Sequence, residues 1–288
     1  MGDFRYFRPA SLQELLDFKA KEGEKARILD GGSNVSVYIR EGSISGGTLV
    51  DIKALDALKG IELRDGMIEI GAGQLIAEII ESPLIEKQLP FLRDALLKFA
   101  NPLVRNMATL AGNIADSSPI GDTIPPLLVL EAEVVAAAAK GERVIALEEF
   151  FTAPGKNVLE AQEVIVKVRF PVPPEGAGGH IKLGLRRGTS CSVASVAVWV
   201  VSTEGKVEDI RIALGGVSPT PVRARRSEEA FKGESLDWER ITELSRTVIQ
   251  EITPITDVRA SAEYRKRVSA ALLAKALRQA LGMEETDE

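Results

Sequence analysis

The segment Lys98–Leu130, KFANPLVRNMATLAGNIADSSPIGDTIPPLLVL, contains two clusters of small and polar residues within an otherwise apolar stretch. The first cluster is Thr109–Asn113, and the second is Ser117–Asp122. Small residues allow the backbone to approach a ligand closely, and free N–H groups there can hold an anion. A carboxylate just downstream of such a site, Asp122, suits a hydroxyl of a ribose or ribityl chain. The alternative interpretation is a polar loop between two helices.

The overall composition is that of a globular protein, and it argues against a nucleic acid or a membrane as binding partner. Of the 288 residues, 45% are hydrophobic and 27% are charged, and this length is sufficient for two or three compact lobes. The net charge of −6 argues against a nucleic acid or a membrane surface as partner. No apolar run approaches the roughly 20 residues that span a bilayer. The amino terminus lacks the apolar core of a secretory signal, so we expect a cytoplasmic location.

The small number of cysteine and histidine residues argues against catalysis by a bound metal or by a nucleophilic side chain. Cys191 is the single cysteine, which excludes disulfides within the chain, a cysteine-ligated iron–sulfur cluster and a structural zinc site. His180 is the single histidine, so a histidine-rich metal site is disfavoured. A serine–histidine–aspartate triad would have to use His180, and no G-x-S-x-G turn precedes it. We therefore predict no metal site and no catalytic side chain, and expect an organic cofactor to supply any demanding chemistry.

Two lobes are predicted before residue 172, and a separate domain after it. The first lobe, about residues 1–56, is predicted as a β-α-β-β unit in which Val35, Val37 and Ile39 alternate as in a strand. The second lobe, about residues 57–172, is predicted to contain hairpins around Asp65-Gly66 and Lys140-Gly141 and a strand at Glu163–Phe170.

The segment 173–179 is rich in proline and glycine and is predicted as a linker. Residues 180–288 are predicted as an antiparallel sheet with strands His180–Leu185, Ser192–Val201 and Val207–Leu214. Helices are predicted to follow at Ser227–Phe231, Trp238–Glu251 and Ser261–Leu281. The fold class predicted for the chain is therefore α+β.

A second candidate for anion binding is the turn Gly31-Gly32-Ser33-Asn34 in the first lobe. It is not a P-loop, because no Gly-Lys-Ser/Thr follows it. Nor is it a dinucleotide fingerprint, because the third glycine and the helix are missing from the predicted pattern. Such a turn either only connects two strands or holds a diphosphate. Two candidate anion sites on consecutive lobes suit an extended ligand with a diphosphate at its centre, lying between the lobes.

Together these features resemble the flavin subunit, or medium chain, of the molybdenum hydroxylases, the family of carbon monoxide, nicotinate and bacterial xanthine dehydrogenases. The resemblance covers essentially the whole chain. The most specific match is a T-x-G-G-N-I type motif at Thr109–Ile114 followed by S-P-x-x-D at Ser118–Asp122. The other matching segments are Asp30–Val35, Val104-Arg105-Asn106, Asp257–Ser261 and Tyr264-Arg265.

The resemblance implies an FAD-binding domain of two lobes, of the molybdopterin-dehydrogenase and vanillyl-alcohol-oxidase type, with a C-terminal domain that covers the flavin. It implies that electrons arrive from a small subunit with 2Fe-2S clusters, which is fed by a large molybdopterin subunit. The flavin would pass them to NAD or another acceptor. The first turn lacks the histidine that relatives outside this branch use for covalent attachment, so noncovalent FAD is expected.

The resemblance also assigns roles to individual residues. The first diphosphate turn would be Asp30–Val35 with Leu29 before it, and the second would include Ser118 downstream. Asp122 would bind flavin-side hydroxyls, Phe99 would line the adenine or flavin chain, and Ile165 would lie against the ring system. Lys182 would lie near the flavin N1/C2=O edge. His180 falls where some relatives place an aromatic over the isoalloxazine, with a surface histidine as the alternative. The complete set of expected cofactor contacts is Leu29, Asp30, Gly31, Gly32, Ser33, Asn34, Val35, Phe99, Thr109, Ala111, Gly112, Asn113, Ser118, Asp122, Ile165, His180 and Lys182.

Two departures from the family pattern keep other functions open. Ala111 replaces a glycine of the second motif, and binding should survive if its φ is negative. Gly188-Thr189-Ser190-Cys191 stands where relatives often carry an acid near the flavin. One alternative is a stand-alone flavin oxidase or dehydrogenase, which would need its own substrate pocket and base. Another is a flavin-free scaffold subunit that has kept the fold.

Overall fold

The computed structural model describes residues 3–186 and 188–283, and its first lobe is a three-stranded parallel sheet of order β1-β3-β2. The two connections between strands are helical. The predicted strand at Val35–Ile39 is wrong, because these residues form a helix. Parallel neighbours β2 and β3 need a crossover, and an alternation of only five residues cannot tell strand from helix. The elements are β1 (Phe4–Phe7), α1 (Leu12–Glu22), β2 (Ala26–Leu29), α2 (Val35–Arg40) and β3 (Gly47–Asp51).

The second lobe is built on a five-stranded antiparallel sheet of order β4-β5-β10-β6-β7, in which β10 pairs with strands from both hairpins. The two hairpins predicted around Asp65-Gly66 and Lys140-Gly141 are confirmed. The strands are β4 (Ile61–Arg64), β5 (Met67–Gly71), β6 (Glu133–Ala138), β7 (Gly141–Ala146), β8 (Phe151–Ala153), β9 (Lys156–Asn157) and β10 (Val164–Pro171). The helices are α3 (Ile76–Glu81), α4 (Pro83–Gln88), α5 (Pro90–Leu97), α6 (Pro102–Arg105), α7 (Leu110–Asp116), α8 (Ile124–Val129) and α9 (Leu147–Phe150).

The C-terminal domain is a four-stranded antiparallel sheet of order β11-β12-β13-β14 covered by helices, as the sequence predicts. Its strands are β11 (Ala177–Gly184), β12 (Ser192–Thr203), β13 (Lys206–Gly215) and β14 (Val222–Arg223). Its helices are α10 (Arg225–Phe231), α11 (Trp238–Leu244) and α12 (Ala262–Ala280), and Ser245–Gln250 continues α11 as a 3-10 helix. The α+β class is therefore confirmed.

Strand β11 begins at Ala177, inside the segment predicted as a linker. The glycines there serve close packing, not flexibility. A Cβ on Gly179 would lie 1.9 Å from the carbonyl oxygen of Ala276, so α12 rests directly on the strand. Glycine is needed where two backbones approach this closely.

The C-terminal sheet shares a hydrophobic core with the second lobe. Ala197, Trp199 and Ala213 belong to the same buried cluster as α5 and α8. The rings of Phe91 and Trp199 pack edge to face, with centroids 5.9 Å apart. This shared core fixes the C-terminal sheet against the second lobe and therefore determines which side chains can meet between them. No helix within residues 3–186 and 188–283 is long and apolar enough to cross a membrane.

Candidate functional site

The turn after β2 lies against the segment that leads into α7. A Cβ on Gly31 would be 2.0 Å from the carbonyl oxygen of Met107 and 2.9 Å from the Cα of Ala108. Real Cβ atoms do not approach other atoms this closely, so Gly31 allows a backbone-to-backbone contact that no other residue permits. The two turns that the sequence singled out are therefore neighbours across the two lobes.

The first turn presents a run of unused backbone donors. In the described part of the chain, the N–H groups of Gly31, Gly32, Ser33 and Asn34 donate no hydrogen bond to a protein acceptor. Gly32 has a φ of 71°, a conformation that favours glycine, and α2 begins at Val35 immediately afterwards. Successive N–H groups in such a turn form a concave site for anions. Leu29 lies beneath the turn, because its Cδ1 is 3.0 Å from the Cβ position of Gly32.

The predicted second turn is the first turn of a helix. Thr109 is the N-cap of α7, and its Oγ1 accepts a hydrogen bond of 3.0 Å from the N–H of Gly112. Ala111 lies within α7, so its φ is negative and the alanine fits without strain. Asn113 also lies in α7, and its Oδ1 accepts a 2.7 Å hydrogen bond from the Thr123 hydroxyl.

Asp30 joins the two lobes at this point. Its carboxylate lies beside the Thr109 side chain, whose oxygen caps the N–H of Gly112. Burial raises the pKa of Asp30 from 3.8 to about 6, and the nearby Thr109 side chain opposes that rise. In the structure this carboxylate therefore contacts protein, while the adjacent N–H groups remain available.

Asp122 and Lys182, which are both expected to contact the flavin, also contact each other. Lys182 Nζ lies 2.5 Å from Asp122 Oδ2, and the Ser192 hydroxyl donates to Asp122 Oδ1. Burial raises the pKa of Asp122, whereas Lys182 and Ser192 act against that rise. Lys182 also donates to the carbonyl oxygen of Lys98 at 3.4 Å. This network joins β11 and β12 to the second lobe, and Ser192 and Lys98 were missed from the sequence because nothing local marks them.

His180 is buried, with 1% of its surface exposed, so the alternative of a surface histidine is wrong. Within the described residues, neither ring nitrogen has a hydrogen-bond partner. Burial lowers its pKa from 6.5 to about 3, and the charges of Lys98 and Lys182 add to that effect. Because alternate residues of a strand share a face, His180 and Lys182 lie on the same side of β11. The result is a neutral imidazole with two unused polar atoms beside a buried ion pair.

The remaining residues that are expected to contact the cofactor, Phe99, Ile165 and Ser118, all make contacts within the second lobe. Phe99 packs partly buried against the second-lobe core, and its carbonyl oxygen accepts from Arg105 Nη1 at 2.8 Å. Ile165 is buried in that same core, in one cluster with Leu110 and Ala111. The carbonyl oxygen of Ser118 accepts from the N–H of Gly121, which shapes the turn before Asp122.

The loop Gly188–Cys191, which departs from the family pattern, connects β11 to β12 and contacts the second lobe through Thr189. Thr189 has a φ of 41°, and its hydroxyl accepts a hydrogen bond of 3.3 Å from the Asn101 side chain. The Ser190 hydroxyl accepts from the N–H of Leu185 at 3.0 Å, and Cys191 is exposed. In the described residues, no group of three or more histidine, cysteine, aspartate or glutamate side chains is placed to hold a metal ion.

Comparison with known proteins covers both parts of the chain. The family model of the FAD binding domain in molybdopterin dehydrogenase matches residues 2–173, and that of the CO dehydrogenase flavoprotein C-terminal domain matches residues 180–280. The xanthine dehydrogenase FAD-binding subunit of Escherichia coli O157:H7 is 30% identical, over 98% of this chain and 97% of that protein. The carbon monoxide dehydrogenase medium chain of Hydrogenophaga pseudoflava is 28% identical, over 95% and 96%.

Comparison with solved structures also matches this chain to carbon monoxide dehydrogenases. A carbon monoxide dehydrogenase from Hydrogenophaga pseudoflava that lacks the Mo-pyranopterin moiety of its cofactor matches with a TM-score of 0.94 and 29% identity, over 97% of this chain and 98% of that chain. The reconstituted carbon monoxide dehydrogenase from Oligotropha carboxidovorans matches with a TM-score of 0.94 and 27% identity, over 98% and 99%. The likeness therefore extends over both domains.

Proposed function

Because the chain belongs to the family of FAD-binding medium subunits of the molybdenum hydroxylases, we propose that it serves as the electron-transfer subunit between a partner iron–sulfur subunit and NAD or another acceptor. It is an oxidoreductase subunit with an FAD-binding domain. FAD, when bound, supplies the redox chemistry. The molybdenum cofactor and the iron–sulfur clusters lie on partner subunits, in keeping with one cysteine and one histidine in this chain. The proposal includes the cytoplasmic location.

The main support for the proposal is the run of unused N–H groups at Gly31–Asn34. This turn packs against the residues that directly precede α7. A diphosphate is an anion that needs several donors, and backbone N–H groups supply them without the entropy cost of ordering long side chains. Gly31 leaves no room for a Cβ on its protein side, which keeps the backbone in place. The residues present therefore fit an FAD whose diphosphate lies at the junction of the two lobes.

We further propose that β11 provides the surface for the flavin ring. Lys182 is held at one position by Asp122 and Ser192, and a fixed cation favours the reduced, anionic form of a nearby flavin. His180 adds a neutral polar group whose two ring nitrogens have no partner among the described residues.

The test is to isolate the complex from its natural host through a tag on this chain. We expect bound flavin, visible by absorbance, together with subunits that carry iron–sulfur clusters and molybdenum. Reduction of the complex by its substrate should then be reversed on mixing with NAD or another acceptor. A flavin-free complex would support the scaffold alternative instead. A flavoprotein that purifies alone and turns over a substrate would support the stand-alone oxidase and contradict the proposal.

A further inference from the structure

Helix α2 directly follows the unused N–H groups of the first turn, yet few contacts hold it. It has six residues, and none of them is fully buried. Among the described residues, the Ser36 hydroxyl donates to the nearby carbonyl oxygen of Ser33 and to no other acceptor. Across residues 3–186 and 188–283, one side-chain hydrogen bond links α2 to the second lobe, from Tyr38 Oη to Asp116 Oδ1 at 2.7 Å.

This bond ties the far end of α2 to the far end of α7. Asp116 is the last residue of α7, the helix that Thr109 caps at its start. Near the starts of the two helices, Gly31 contacts Met107, and the Asp30 carboxylate lies beside the Thr109 side chain. The turn before α2 and the second half of α2 are thus both in contact with the segment that contains α7. Burial and the Asp116 carboxylate raise the pKa of Tyr38 to about 12, so the phenol remains a donor at physiological pH.

We propose that Tyr38 is a positioning residue for the cofactor site. Its bond to Asp116 holds α2 against α7 and so fixes the first turn relative to the second lobe. Tyr38 does not itself touch the ligand. When the bond is absent, α2 samples more positions, and ligand binding must supply the ordering that the bond supplies in advance. The inference rests on the proposed FAD function, because it is the diphosphate that needs both lobes at a fixed separation.

The test compares FAD affinity and unfolding temperature in the full-length chain. Tyr38→Phe should weaken FAD binding about tenfold in isothermal titration, the effect typical of losing one hydrogen bond to a charged group. Tyr6→Phe is a matched control, because Tyr6 makes the same kind of bond to Asp51 at 2.5 Å, but that bond lies within the first lobe and does not cross to the second. Tyr6→Phe should leave FAD affinity within twofold of the wild type, whatever it does to the unfolding temperature.

Changes at Asp116 separate positioning from general stability. Asp116→Asn keeps an oxygen that accepts from Tyr38, so it should bind FAD within about threefold of the wild type. Asp116→Leu should match Tyr38→Phe, and the double variant should be no weaker than either single variant. Equal affinity in Tyr38→Phe and the wild type, or equal losses in the two tyrosine variants, would overturn the inference. A wild-type chain that binds no FAD would instead contradict the proposed function.

Discussion

The contact between Gly31 and Met107 makes a sharp prediction about the substitution Gly31→Ala. The added Cβ would lie 2.0 Å from the Met107 carbonyl oxygen, whereas ordinary contacts begin at 3.4 Å. One backbone segment must therefore retreat by about 1.4 Å, because neither partner is a flexible side chain. Overpacking of this kind typically costs about 1–3 kcal/mol of folding stability.

The larger effect should be on FAD. Hydrogen bonds from N–H to oxygen operate over a range of only about 0.5 Å, so a displacement of about 1.4 Å removes those that the moved segment makes. Each hydrogen bond to a charged group contributes about 1.5–3 kcal/mol, and losing two of them costs at least about 3 kcal/mol. We therefore expect the dissociation constant for FAD to rise by about 100-fold or more.

Isothermal titration of the FAD-free chain with FAD measures this directly, with thermal unfolding in parallel. Gly46→Ala is the control, because its Cβ would meet only the Asp3 carbonyl oxygen, at an ordinary 3.5 Å, in the same lobe. It should bind FAD like the wild type. If Gly31→Ala binds FAD within threefold of the wild type, the first turn does not hold the diphosphate and the argument from its N–H groups is wrong.

Three further predictions concern buried ionisable groups. The pKa of Asp30 rises from 3.8 to about 6 on folding, so its contribution to stability is present below pH 3.8 and lost as the pH rises through 6. Asp30→Asn should therefore gain stability relative to the wild type between pH 4 and 7, by up to about 3 kcal/mol in urea unfolding. Lys182→Met leaves Asp122 buried without its cation and should lose about 3–5 kcal/mol, while the further change Asp122→Asn should restore most of it; wild-type stability in the single variant would contradict this pairing. The pKa of His180 falls from 6.5 to about 3, so its contribution is present above pH 6.5 and lost on acidification. His180→Leu should remove that acid sensitivity, and an unchanged pH profile of unfolding would show that the imidazole is not buried as described.

Local signals predict much of this fold, because they report on physics that acts over a few residues. Asp65-Gly66 adopts positive φ at both positions, as a tight hairpin requires, and the alternating strands on either side follow from it. The antiparallel C-terminal sheet can be predicted equally well from the sequence, because β12 and β13 are long and separated by a short turn. The family resemblance predicts the FAD-binding domain and its class, and the comparisons agree with it.

Features that depend on long-range contacts are not predictable in this way. Val35–Ile39 forms a helix because β2 and β3 are parallel and need a crossover connection. The alternation of five residues does not reveal that the strands are parallel. Gly178 and Gly179 resemble a flexible linker, but they lie in a strand, where Gly179 packs under α12 and Gly178 packs against Phe91. The pairing of Asp122 with Lys182 joins positions 60 residues apart. Either residue alone suggests a ligand contact, and only the fold shows that the two also bond to each other.

The acids around the site share one arrangement that explains why they tolerate an anion nearby. A carboxylate that pointed into a diphosphate site would repel its ligand. Instead, Asp116 bonds to Tyr38 and Asp122 to Lys182, and Asp30 lies beside Thr109, so that each contact crosses between lobes or domains. The acids thus help to hold the three parts of the chain together, while the backbone N–H groups of the first turn donate to no acceptor among the described residues. These contacts give the acids a role in holding the parts of the chain together, and the expected contacts of Asp30 and Asp122 with a flavin remain predictions.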